Sequence, residues 1–202
     1  MKVGPKYKIA RRLGAQVFEK TQGKKYALRE GEQRVVKGSN RPKTDFALQM
    51  LEKQRVRFTY VITERRLSNY AEEVLEKRLA KPEEKFFELL ETRLDSVILR
   101  AGFAPTRFMA KQLASHGHFT VNGTKVTVPS LRIKKGDVVA VREGSKNKPM
   151  FANLVETNKD AKIPNWLSSD FEKKVINVSG MPTYAPTECA FNLTTVLEYY
   201  RR

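Results

Sequence analysis

Between residues 44 and 100, apolar side chains recur at three- and four-residue spacings, the mark of helices with one buried face. Thr44-Asp45 offers an N-cap for a helix carrying Phe46, Leu48, Met50, Leu51 and Phe58. Thr63 caps a second helix, which the pattern extends to about Leu79. Pro82 opens a third, at a first-turn position where its missing N–H costs nothing. In that helix Phe86, Leu89, Leu90, Leu94 and Val97 fall on one stripe and predict core. Nearer the start, Lys6 to Gly14 predicts a short helix stopped by its glycine. The remainder of residues 1–43 shows little sustained periodicity, so much of it is expected to become ordered against a partner.

After Gly102 the pattern changes. Pro105-Thr106 starts a compact helix that ends at Gly117, with Arg107, Lys111 and Ser115 on one face. Met109, Leu113 and His116 lie on another face, which is expected to pack inward. Asn122-Gly123 then separates His118-Phe119-Thr120-Val121 from Thr124 to Val128, a strong short-range hairpin signal. Lys134-Lys135-Gly136-Asp137 predicts a second turn, leading into a strand over 138–142. Together these patterns predict an α+β fold. A mainly helical region spans 44–100. A β portion follows the compact helix and extends into residues 151–190.

Composition narrows the classes. The chain has 202 residues, 40% of them hydrophobic, which is enough to bury a core. No apolar run approaches the roughly 20 residues that span a bilayer, and Met1-Lys2-Val3-Gly4-Pro5 lacks the apolar stretch of a secretory leader. The single cysteine, Cys189, excludes an intrachain disulfide and a Cys-rich zinc site, and reads as a buried apolar side chain in a reducing compartment. His116 and His118 have no cysteine near them, so no metal or other cofactor is expected.

Charge changes the picture most. Lys and Arg number 39 against 22 Asp and Glu, a net +17. Such an excess is usually tolerated because a polyanion neutralises it. Residues 1–60 carry 16 basic and 5 acidic side chains, and residues 101–150 carry 9 and 2. Residues 61–100 are close to neutral, with 8 and 9, and residues 151–202 are balanced at 6 and 6. Two basic regions therefore face a polyanion, with nucleic acid preferred to a membrane surface. The balanced tail needs another account. Its Trp166, Phe171, Tyr184 and Phe191 either close the core or meet a neighbouring protein.

Several runs carry a family resemblance: Arg93-Leu94-Asp95, then Arg107 with Lys111-Gln112-Leu113, then the stretch from Ser115 through His116, His118 and Asn122 to Gly123, and Lys135-Gly136-Asp137-Val138-Val139. Over residues 93–147 the chain resembles the RNA-binding domain named after ribosomal protein S4. The flanks narrow this further. Met1 to Lys6 with Arg11-Arg12, the arm from Lys43 to Tyr60, and the ending Val196-Leu197-Glu198-Tyr199-Tyr200-Arg201-Arg202 are similar to the bacterial-type S4 family of the small ribosomal subunit. The resemblance implies a basic N-terminal extension over 1–43, a helical domain over 44–100 joined by a C-terminal helix over 190–202, an RNA-binding domain of two helices and a small β-ribbon over 93–150, and a neutral extension over 151–190.

The same resemblance implies a primary binder of small-subunit (16S-type) ribosomal RNA that nucleates assembly of the 5′ domain. It further implies contacts with neighbouring ribosomal proteins and with mRNA where it enters the subunit, an influence on translational accuracy, and a cytoplasmic ribosome, an organelle matrix remaining open. RNA contacts carry over to Lys6, Arg11, Arg12, Lys53, Arg55, Arg57, Arg66, Arg93, Arg107, Lys111, Gln112, Ser115, His116, His118, Asn122 and Lys125. Many relatives hold zinc through four N-terminal cysteines. Here Tyr7 and Ala10 stand at the first two matching positions, which implies a zinc-free variant. The enzyme alternative is a pseudouridine synthase carrying the same RNA-binding domain, with Arg93-Leu94-Asp95 resembling the segment of the catalytic aspartate. Only 55 residues follow position 147, too few for the catalytic domain, so Asp95 is expected to balance Arg93 or cap a turn.

Overall fold

A computed structural model describes residues 3–31, 44–152, 154–158, 163–186 and 189–201. The chain divides into two units, residues 1–86 with 185–202, and residues 87–184.

The first unit begins with α1 (Lys6–Leu13), closed at Gly14 as the sequence predicts. Residues 15–31 depart from expectation. Two 3₁₀ turns, Ala15–Val17 and Glu19–Thr21, lead to α2 (Lys24–Gly31). These elements build a small core of Ala10, Leu13, Val17, Phe18 and Tyr26. Buried Thr21 holds the turn, its hydroxyl 2.6 Å from Ala15 O and 2.8 Å from Phe18 O. The two 3₁₀ turns are too short to show a period, which is why sequence reading missed them. Residues 32–43 of the extension lie outside the described residues.

Next come α3 (Asp45–Thr59), where Thr44 Oγ1 accepts from Ala47 N, and α4 (Glu64–Glu76). Thr63 holds the cap position of α4 with extended backbone but makes no side-chain cap bond. That helix ends three residues before Leu79, because Arg78 turns to φ 45° and Leu79 is exposed.

The predicted stripe from Phe86 to Val97 is fully buried, yet two helices share it, α5 (Pro82–Glu91) and α6 (Leu94–Arg100). Between them Arg93 is extended, at φ −64° and ψ 142°. The chain there pairs with residues 129–133: Leu94 N donates to Leu131 O, Asp95 N to Pro129 O, and Ile133 N to Thr92 O at 2.8 Å. The break preserves the three-to-four spacing, so periodicity alone could not reveal it.

In the second unit α7 (Arg107–Ser115) starts at Thr106, whose Oγ1 accepts from Met109 N at 3.2 Å. Strands β1 (Phe119–Val121) and β2 (Thr124–Val126) form the hairpin, and β3 (Val138–Val141) pairs on the other side of β1. Asn122 and Gly123 adopt φ 49° and 82°, the two positive values that a type I′ turn requires. After short helices α8 (Glu143–Lys146) and α9 (Leu154–Thr157), β4 (Leu167–Asp170) and β5 (Val175–Val178) complete an antiparallel sheet of order β2-β1-β3-β5-β4. Helices α6 and α7 cover a core in which the Phe119 ring meets Phe103 at 6.3 Å and Phe151 at 5.9 Å. Finally α10 (Leu193–Arg201) returns to the first unit and packs on α3 and α4.

The aromatics of the neutral tail close these cores. Phe171 lies against Phe103, Tyr184 against Phe87 and Phe191 against Tyr60, while Trp166 packs at the margin of the sheet core. Cys189 is half-buried and not fully buried as expected.

Candidate nucleic-acid interface

In the second unit, the cations of the sequence motif divide into two groups. Arg93 is 1% exposed and grips Asp95 with two parallel bonds, Nε to Oδ1 at 2.9 Å and Nη2 to Oδ2 at 2.6 Å. Asp95 also accepts from Ser96 N, so its carboxylate is engaged structurally. Arg107, 8% exposed, donates to Ser96 Oγ at 3.1 Å and lies 3.4 Å from Glu91. Glu91 in turn takes both bonds of the Arg100 guanidinium at 2.8 Å. Two buried carboxylates thus tie the end of α5 to α6 and α7. Sequence reading put Arg93 and Arg107 at the RNA; the structure puts them inside, because a buried carboxylate must be paired.

Most of the other residues lie at or near the surface. Lys111 is half-buried with its ammonium 4.0 Å from Asp95, and Gln112, Ser115, His116 and Lys125 are exposed. His116, expected to pack inward, is exposed because the buried face of α7 consists of Arg107, Ala110, Leu113 and Ala114. His118 takes the interior place, 6% exposed, with Nδ1 2.9 Å from Ser145 Oγ. Burial, reinforced by Lys148, His116 and Arg142, lowers the His118 pKa below the ordinary 6.5. Asn122 is exposed but committed to the turn, Nδ2 donating to Asp137 and Oδ1 accepting from Val138 N, both at 2.9 Å.

Gly117 links helix to hairpin at φ 69°, and a Cβ there would come within 2.5 Å of Lys125 Cε. The Lys125 side chain therefore lies over the glycine, beside the end of α7. Arg100 and the exposed Arg132, Lys134 and Lys135 add positive charge to this unit. Arg100 and Arg132 were not among the expected contacts. No local motif marks them; the pairing of residues 92–95 with 129–133 brings that segment to the helices.

In the first unit, Arg11, Arg12 and Arg66 are exposed. Lys6 is half-buried, 5.8 Å from the Phe18 ring centre. Arg55 donates to Leu13 O at 2.7 Å and pairs with Glu52, and Arg57 lies 3.9 Å from Glu64. Lys53, expected at the RNA, is 6% exposed: its ammonium sits 2.6 Å from Glu64 Oε1 and 4.4 Å from the Tyr199 ring centre. Tyr200 donates to the same Glu64 oxygen at 2.8 Å, which with burial raises the phenol pKa. Lys53 thus fastens α10 onto α3.

The zinc of related proteins does not fit this chain. Tyr7 is half-buried with its ring 5.5 Å from Tyr26, Ala10 is buried, and the chain has no cysteine before position 189. Among the described residues no group of three or more His, Cys, Asp and Glu is placed to hold a metal ion.

Comparison with known proteins finds relatives of both units. Residues 2–91 match the family profile of the ribosomal protein S4/S9 N-terminal domain, and residues 92–139 match that of the S4 domain. The small ribosomal subunit protein uS4 of Persephonella marina is 37% identical over 98% of this chain and 97% of its own length. The uS4 proteins of Mycobacterium marinum and Mycobacterium avium are 38% and 40% identical, over 98% and 79% of this chain and the same shares of their own lengths. With similarity that runs through both units, the chain belongs to the ribosomal protein S4 family.

Proposed function

We propose that this chain is a structural component of the small ribosomal subunit and binds its ribosomal RNA directly, as an early assembly protein of the 5′ domain. The observation that carries the reading is the division of cations. Buried ones are matched to carboxylates, while Arg11, Arg12, Arg66 and Lys125 face solvent beside helix ends and a hairpin, and half-buried Lys111 stands between the two groups, 4.0 Å from Asp95. Phosphate and shape contacts suit such a surface, because the major groove of an RNA helix is too narrow for side chains to read. Gln112, Ser115 and His116 supply polar contacts next to Lys111. Lys53, Arg93, Arg107 and His118 act indirectly, by holding the elements that present the others.

In this reading the chain is not an enzyme. The aspartate that resembled a catalytic group is clamped by Arg93 and by the backbone N–H of Ser96 inside the fold, so its carboxylate serves the structure. It works on the ribosome, in cytoplasm or an organelle matrix, beside neighbouring ribosomal proteins and close to entering mRNA, where it influences accuracy. The full chain should prefer a transcript of the small-subunit 5′ domain over an excess of transfer RNA in filter binding. Equal affinity for both would overturn the proposal.

A further inference from the structure

A groove of about 400 Å³ lies between α1 and α3 of the first unit. That volume is within the roughly 300–1,000 Å³ of pockets that hold small ligands. Ile9, Leu13, Met50 and Phe58 make an apolar floor, and Lys8 and Arg12 stand on the rim. These two cations are four residues apart on α1, so they project on one side of the helix. Both are exposed, and neither has an ion-pair or hydrogen-bond partner among the described residues. Gln54 completes the lining; its Oε1 accepts from Arg57, which leaves the amide N–H groups for another acceptor. The walls are fastened together, since Arg55 on α3 donates to Leu13 O at the end of α1. The groove therefore exists before any ligand arrives.

We infer that this groove receives one unstacked nucleotide of the bound RNA, its base on the Phe58–Met50 floor and its phosphate between Lys8 and Arg12. The inference rests on the proposed RNA binding and adds a specific contact to it. Charge complementarity selects the occupant. Residues 1–60 carry 16 basic against 5 acidic side chains, so an anion is drawn to this surface, and the ligand must also bring a flat apolar face. An unpaired nucleotide combines both, and splayed bases stacked on aromatic side chains are the usual means by which proteins recognise unpaired RNA. Lys8, absent from the expected contacts, acquires a role here.

The test uses the full chain with the 5′-domain transcript. Irradiation at short ultraviolet wavelength followed by mass spectrometry of peptides should place a nucleotide adduct on Phe58 or Met50, or within Lys8 to Leu13. Adducts confined to other peptides would overturn the inference. Met50→Trp and Ile9→Phe fill the floor from opposite walls without changing charge. Either variant, once shown to be folded, should bind on the order of tenfold more weakly. Wild-type affinity in a folded, filled variant would overturn the groove while leaving the broader proposal standing. A wild-type chain with no affinity for the transcript would sink both.

Discussion

Residues 6–13 and residues 91–111 each concentrate cations on short helices, but the two stretches use them in opposite ways. On α1, Arg11 and Arg12 are exposed, and the helix has no acidic residue in its first turn. In the second stretch Arg93, Arg100 and Arg107 are matched to Glu91 and Asp95, two carboxylates that are themselves almost fully buried. A cation beside a buried carboxylate stabilises the fold, whereas one in water is available to a phosphate. The contrast teaches that basic residues of one sequence motif can serve the interior of the fold as well as its surface.

The largest effect should come from breaking the buried pair. Asp95→Ala leaves Arg93 buried without its carboxylate and should cost about 3–5 kcal/mol of stability. Chemical denaturation measures this. The double replacement Arg93→Met with Asp95→Leu should recover most of the loss, since no lone charge remains. If Asp95→Ala were as stable as wild type, the cluster would not be structural.

Gly117→Ala comes next. Its left-handed backbone should cost roughly 1–2 kcal/mol, and the added methyl must displace Lys125. Thermal unfolding reads the first effect and RNA affinity the second. A fully wild-type variant would show that the position of Lys125 does not matter.

The surface half of the comparison predicts a loss of affinity without loss of fold. Lys111→Gln should weaken RNA binding roughly threefold at moderate salt, whereas Lys173→Gln, on the turn between β4 and β5, should leave it nearly unchanged. Equal effects would remove α7 from the RNA-facing surface.

Much of this division was hidden in the sequence, and the reasons are physical. The hairpin was legible because Asn122-Gly123 has few alternatives to a type I′ turn, and α3 because Thr44 caps it. The cores were legible as stripes, although the break at Arg93 was not, since it depends on pairing with residues 129–133. Motif residues could be found, but their direction could not. Arg107 and Lys111 are on the same helical face by spacing, yet the carboxylate of Glu91 draws one inward and leaves the other near the surface. His116 and His118 exchange their expected places because His118 immediately precedes β1, which starts at Phe119, and its ring meets Ser145 inside the fold.

The smallest effect concerns pH. The folded pKa of His118 is lowered, so the unfolded chain binds more protons as pH falls below about 6.5. Stability should therefore decline from pH 7 to pH 5, and His118→Asn should flatten that part of the profile. An unchanged slope in the variant would assign the decline to other groups.

The most direct measurement of the central claim is the salt dependence of binding to the 5′-domain transcript. The logarithm of the binding constant should fall linearly with that of salt concentration, with a slope above about 4 in magnitude, as six or more phosphate contacts require. Replacing both Arg11 and Arg12 by glutamine should reduce that slope by roughly 1–2, while Glu91→Gln, which loosens the buried cluster, should not reduce it. A shallow wild-type slope, or one that the two arginine replacements leave untouched, would contradict the assignment of exposed cations to the RNA.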